Sequence, residues 1–181
     1  MDKFFDDYYR NTGVRWNSCV WGGVQILMER RIRFLLYLRI LQSTKYKLLH
    51  PLAYIGRYII SHSCGLEIVP QTIIGEGFRM IHPYNITINP EAKLGKNINI
   101  YKGATIGYAK GKKEGVPIVG DNVQIGINAT IVGGIEIGND VLIAPNTFIN
   151  EDVPSHSIVL GNPAIILSRD NATKEYIEFH V

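Results

Sequence analysis

VGDNVQIGINATIVGGIEIGNDVLIAPNTFIN, residues 119–150, decides the fold. In it Val119, Ile125, Ile131, Ile137, Ile143 and Ile149 recur at every sixth position. A helix, with about 3.6 residues per turn, and a flat strand, with its alternation of faces, both fail to give that spacing. A fixed period is an internal repeat, and it constrains the architecture more strongly than local propensity does.

The same period extends upstream, through Leu94, Ile100 and Ile106 and, before them, Ile68, Ile74, Met80 and Ile86. Thirteen rungs joined by ten six-residue steps leave little room for accident. A second inward set lies two residues before these rungs: Thr72, Phe78, Tyr84, Ile98, Ala104, Val123, Ala129, Ile135, Val141 and Thr147. Period two inside period six describes a short strand followed by a sharp corner. Gly75, Gly95, Gly107, Gly120, Gly126 and Gly138 follow rungs directly, and Asn97, Asn122, Asn128 and Asn139 lie nearby. These are residue types that accept unusual corner dihedrals. The expected fold is mainly β, a solenoid of short parallel strands with an aliphatic interior. Six residues per side and three sides give eighteen per coil, although the period alone fixes neither the number of sides nor the hand.

Residues 1–62 follow a different pattern. MERRIRFLLYLRILQ (28–42) lacks Gly and Pro and reads as a helix, and Pro51 opens a second one. Apolar residues on nearly every side of the first helix predict more than one packing neighbour. The expected division is a helical segment 1–63, a solenoid 64–168 and a tail 169–181. The chain has 181 residues, 46% of them hydrophobic and 19% charged, as in one soluble globular unit. Cys19 and Cys64 cannot form a disulfide framework, so a reducing cytoplasm is the expected location. The opening MDKFFDDYYR does not read as a signal peptide, and no apolar run is long enough to span a bilayer. Residues 1–63 carry ten Lys/Arg against four Asp/Glu, whereas the remainder carries nine against twelve. The basic segment allows peripheral contact with anionic lipid at the inner membrane face, or flanks a packed helix. No basic stripe with interleaved aromatics points to nucleic acid.

One histidine, His82 in FRMIHPYNIT (78–87), falls inside the repeat. It follows rung Met80 by two positions, which places it on the outside of a corner, as a solvated residue or as a catalytic base. Being alone in the repeat, it does not form a zinc site of the kind built by several histidines, and no metal is expected.

Segment 64–168 resembles the hexapeptide-repeat acyltransferases. The stretches GLEIVPQTIIGEGFRMIHPYNITI (65–88) and EDVPSHSIVLGNPAIIL (151–167) are similar to the serine acetyltransferase branch, which includes polysaccharide O-acetyltransferases. The resemblance implies a left-handed β-helix, a homotrimer, which leaves open a pairing of trimers, and acetyl-CoA as donor. It implies that His82 is the general base on an acceptor hydroxyl and Glu67 its orienting carboxylate. On an eighteen-residue coil, residue 85 would stack on Glu67, about 10 Å of strand from His82. The resemblance also places the CoA arm against Gly107, Gly126, Ile127, Ala129, Ala144 and Pro145. Lys110, Lys112 and Lys113, in the loop GYAKGKKEGVP (107–117), either attract its phosphates or are solvated loop lysines.

Two departures bear on the acceptor. The resemblance implies that serine acetyltransferases carry an aspartate immediately before the histidine, where this chain has Ile81, and Arg-His-Pro at the end of the loop, where it has Gly115-Val116-Pro117. Both charged ends of an amino acid would lose partners. The expected function is therefore O-acetylation of a sugar hydroxyl in surface polysaccharide biosynthesis. Serine O-acetylation and a non-catalytic scaffold are the alternatives.

Overall fold

The computed structural model describes residues 1–16 and 19–181, without the side chains of 19–21, so the Cys19 thiol lies outside what is described. Helices α1 (Asp2–Thr12), α2 (Cys19–Met28), α3 (Arg30–Gln42) and α4 (His50–Cys64) precede fifteen short strands numbered in chain order. Pro51 sits in the first turn of α4, as expected, and Gly65 closes that helix in the left-handed region at φ 63°. The chain then enters three parallel faces of a prism. The first holds β1 (Leu66–Glu67), β4 (Ile86–Ile88), β7 (Thr105–Gly107), β10 (Thr130–Val132) and β13 (Phe148–Ile149). The second holds β2 (Ile73–Ile74), β5 (Lys93–Leu94), β8 (Ile118–Val119) and β11 (Glu136–Ile137). The third holds β3 (Arg79–Ile81), β6 (Asn99–Tyr101), β9 (Val123–Ile125), β12 (Val141–Ile143), β14 (Ser157–Leu160) and β15 (Ile165–Ser168). Among the described strands of these faces only β15 runs antiparallel, and it ends the stack.

Every expected rung is buried, and so is the second inward set apart from Tyr84, which is 47% exposed. The register explains this exception. Ile106 pairs with Ile88, and Ile86 pairs with Leu66. Ile88 is therefore the true rung, and two extra residues lie between Met80 and Asn85 rather than after Ile86. Coil length varies accordingly. Ile74 stacks on Leu94 after twenty residues, Leu94 on Val119 after twenty-five, and Val119 on Ile137 after eighteen.

The glycines that follow rungs have a different reason from the one their spacing implies. None of the six has a positive φ; the left-handed corner residues include Asn85, Asn97, Asn122, Asn128, Asp140 and Asn146. Gly75, Gly95, Gly120 and Gly138 instead form a column in which each backbone touches the next. A β-carbon on Gly95 would lie 2.7 Å from the Gly120 carbonyl oxygen, and one on Gly120 2.8 Å from that of Gly138. Gly120→Ala should therefore cost roughly 1–3 kcal/mol, the usual scale for overpacking, read as a lowered Tm. Gly23→Ala, whose β-carbon meets nothing within 4 Å, should leave Tm unchanged or raise it.

The open end of the first coil needs a cap, since a solenoid cannot leave its terminal core exposed. Phe4 and Tyr8 of α1 and Ile32, Phe34, Leu35 and Leu38 of α3 join the same apolar core as Ile68 and Ile74. Buried Asp7 receives Arg39 Nε at 2.7 Å and the Phe78 amide at 2.8 Å. Arg39 also donates to the carbonyls of Ile74 and Gly75. Arg10 donates to Gly77 O at 3.2 Å and to Asn99 Oδ1 at 2.7 Å. Burial, and then the charge of Arg79, pull Arg10 down to about 10. Arg10, Arg39 and Arg57 are all buried, so part of the basic excess of the helical segment never reaches its surface. Among the described residues no helix is long and apolar enough to cross a membrane.

Candidate functional site

The corner between the third and first faces carries an enlarged turn with two left-handed residues, His82 and Asn85. Met80 and Ile81 pair with Ile100 and Tyr101, after which His82 leaves the strand at φ 51°. A tight turn follows, in which the Tyr84 amide donates to His82 O at 2.7 Å. Asn85, at φ 53°, rejoins the stack through its amide, which donates to Cys64 O at 2.8 Å. Eight residues separate Met80 from rung Ile88, whereas the next three turns of this corner take six. The two extra residues push the turn outward and account for the exposure of both His82 and Tyr84. Left-handed φ recurs at the solenoid's corners, as at Asn97, Asn122, Asn128 and Asp140, so at His82 it belongs to the turn geometry that carries the ring. The His82 side chain is exposed, and among the described residues its imidazole makes no hydrogen bond.

The same corner continues upward as Tyr101–Gly103, Gly126–Asn128 and Ala144–Asn146. Coils stack about 4.8 Å apart, so Ile127 lies about 10 Å above His82 along the column and Pro145 about 14 Å. Gly126, Ile127, Ala144 and Pro145 line one cleft of about 310 Å³, together with Tyr101, Gln124, Leu142 and Tyr176. That volume is at the lower end of the range for small-molecule sites, and the lining is mainly apolar with one amide, a composition typical of them. A larger cavity of about 440 Å³, between α1 and the first coil, is lined by Arg39 and Gln42. Both are already bonded, to Asp7 and to the carbonyls of Pro70, Thr72 and Ile74, which suits a cap rather than a ligand site.

Other expected site residues fall elsewhere. Glu67 stacks on Thr87, not on residue 85, and accepts from Thr87 Oγ1 at 3.2 Å. The twenty-residue coil accounts for the shift, and among the described residues Glu67 makes no bond to His82. Ala129 points into the core, its amide bonded to Gly126 O and its carbonyl accepting from Thr105, so it does not line the cleft. Gly107 ends β7 on the far side of the first face, where the loop departs. Ala109 and Gly115 exchange two 3.1 Å backbone bonds that tie the loop into a narrow hairpin. Lys110 and Lys112 are exposed at its tip, and Lys113 pairs with Asp152 at 2.5 Å. Within one chain, then, the loop and the His82 column occupy different corners.

The segment expected as a tail is docked. Asp140 accepts from the amides of Ala172 and Thr173 at 3.1 and 2.9 Å, from Thr173 Oγ1 at 2.7 Å and pairs with His156 Nδ1 at 2.9 Å. Burial would raise the Asp140 carboxyl, but the Thr173 amide and hydroxyl, His156 and the Ala172 amide together hold it below the usual range. Farther on, Asn99 Nδ2 donates to Tyr176 O at 3.0 Å, and Asn97 exchanges bonds of 3.0 and 3.1 Å with Val181. Tyr176 thereby joins the cleft. Sequence reading missed it, although buried Ala172 and Ile177 give an apolar spacing that signals a packed segment.

Comparison with known proteins agrees with the fold. Residues 117–151 match the family model described as bacterial transferase hexapeptide (six repeats). The chain is 33% identical over 152 residues to a serine acetyltransferase of Staphylococcus aureus, covering 83% of this chain and 67% of that protein. It is 35% identical over 130 residues to serine acetyltransferase 2 of Arabidopsis thaliana, covering 65% of this chain. It spans only 40% of the length of that plant relative. A crystal structure of Neisseria gonorrhoeae serine acetyltransferase superposes with a TM-score of 0.74 at 27% identity, over 97% of this chain and 69% of that one. The same enzyme in complex with serine gives 0.73 at 28% identity, over 92% and 68%.

Proposed function

We propose an acyl-transfer function from one premise: the chain belongs to the serine acetyltransferase family of hexapeptide-repeat proteins. The proposed activity is acetyl-CoA-dependent O-acetylation. The observation that carries it is the exposed imidazole of His82 at the foot of a corner column that rises into the cleft of Gly126, Ile127, Ala144 and Pro145.

In this reading His82 accepts the proton of an acceptor hydroxyl as its oxygen attacks the thioester carbonyl. The tetrahedral intermediate collapses, the carbon–sulfur bond breaks, and the imidazolium returns the proton to the departing thiolate. The products are an acetyl ester and free CoA. A free alcohol is a weak nucleophile near neutral pH, and imidazole is the side chain that titrates there. Cleft residues exclude water and hold the donor arm, with small Gly126 and Ala144 allowing close approach.

Glu67 remains the proposed orienting carboxylate, and its separation from His82 in one chain is the reason to test it through pH profiles. The two-corner division of Gly107 and the lysines from the His82 column favours a homotrimer, in which the loop of one copy walls the cleft of the next. Ile73 and Ile118 on the outer second face, and Leu52, Ile55 and Ile59 on α4, are exposed apolar residues of the kind that assembly covers.

L-serine is the better-supported acceptor, because the relatives named above are serine acetyltransferases and one was solved in complex with serine. This revises the sugar expected from sequence, for which none of the relatives named above speaks. Ile81 and Gly115-Val116-Pro117 still favour a neutral hydroxyl as the second reading. The test is thiol release from acetyl-CoA with L-serine and, separately, with simple sugars. Release with serine is expected. Release only with sugars would reverse the order, and no release with either, with no heat on adding CoA, would leave a scaffold.

A further inference from the structure

We propose that Tyr176, carried by the C-terminal segment, is a wall of the acyl-donor cleft and positions the apolar arm of acetyl-CoA. The inference rests on the acyl-transfer reading above. Tyr176 is half-exposed and lines the 310 Å³ cleft together with Tyr101, Ile127 and Pro145. It also borders a second cavity of about 310 Å³, with which the cleft shares Leu142. Tyr176 and Leu142 thus border both hollows on the third face.

Its place is fixed on both sides. Upstream, Asp140 takes the amides of Ala172 and Thr173, and Ile177, 1% exposed, anchors the next turn through its amide to Thr173 O at 2.9 Å. Downstream, Asn99 holds the Tyr176 carbonyl, and Arg10 holds that of Glu178. Asn99 also donates to Gln124 Oε1 at 2.9 Å, and Gln124 itself lines the cleft. The helical cap, the third face and the C-terminal segment therefore share one hydrogen-bonded frame around the ring. A half-exposed aromatic residue bordering a mainly apolar trough with one amide suits an extended aliphatic chain bearing amides, which is the pantetheine portion of CoA.

Calorimetric CoA binding and steady-state kinetics test this on the full-length protein. Tyr176→Ala should weaken CoA binding and raise KM for acetyl-CoA roughly 3- to 10-fold, the scale of one lost aromatic contact. The acceptor KM and kcat should stay within about twofold on that same scale, and Tyr176→Phe should retain wild-type binding. Asp140→Asn, which frees the segment, should weaken binding in the same direction, and the double variant should add little to Tyr176→Ala. Unchanged CoA binding in Tyr176→Ala would overturn the inference while leaving the acyl-transfer reading intact. A fall in kcat and Tm with no change in KM would also overturn it, by marking a purely structural role. Absence of CoA binding in the wild type would overturn both.

Discussion

Replacing His82 by alanine is expected to leave the solenoid folded and to lower kcat by roughly 10²–10⁴-fold, the usual contribution of a general base. The fold should survive because the imidazole is exposed and unbonded, with the apolar stack closed behind it by Met80, Ile86 and Ile88. One complication is backbone conformation. At φ 51° alanine adopts a left-handed corner less readily than asparagine does. His82→Asn is therefore the companion variant: it should match wild type in Tm and match His82→Ala in lost turnover. Full turnover in either variant, with a native circular dichroism spectrum, would remove His82 from the mechanism.

The second large effect is on stability. Asp7→Ala should cost roughly 3–5 kcal/mol, because it strands a buried guanidinium. Asp7 and Arg39 are both buried, and the Phe78 amide would lose its acceptor in the same step. Burial pushes the Asp7 carboxyl up while Arg39 and the Phe78 amide pull it down, so the pair is held by geometry rather than by surplus energy. The double replacement Asp7→Leu with Arg39→Met should therefore recover part of the loss, short of the bonds Arg39 gives to the Ile74 and Gly75 carbonyls. Urea denaturation checks both. A cost below about 1 kcal/mol for Asp7→Ala would mean that the helices do not cap the first coil.

The repeat was legible because each rung is a buried aliphatic and polar residues punctuate the corners. What escaped the spacing was its one ambiguous place. In Ile86-Thr87-Ile88 both isoleucines face inward, so a count of six from Met80 lands on the first. Only the backbone register, Ile88 against Ile106, moves the two extra residues to the His82 corner. That relocation changes the site: it enlarges the turn that carries the imidazole, turns Tyr84 outward and lengthens the coil beneath, so that Glu67 meets Thr87. The glycine column was visible as composition but not as cause, because a close approach of stacked backbones leaves the same mark in sequence as a strained dihedral. Gly126, Ile127, Ala144 and Pro145 were expected beside the donor arm only through resemblance, and they share a cleft because six-residue steps stack equivalent corners. Tyr176 was hidden since its position depends on Asp140, thirty-odd residues away, gripping the Thr173 turn.

A crystal structure with bound CoA tests the central claim most directly. The account predicts the pantetheine arm along the Ala144 and Gly126 corners, with the sulfur at hydrogen-bonding range of the His82 imidazole. CoA bound away from that column, or a sulfur that His82 cannot reach from any copy in the assembly, would contradict it.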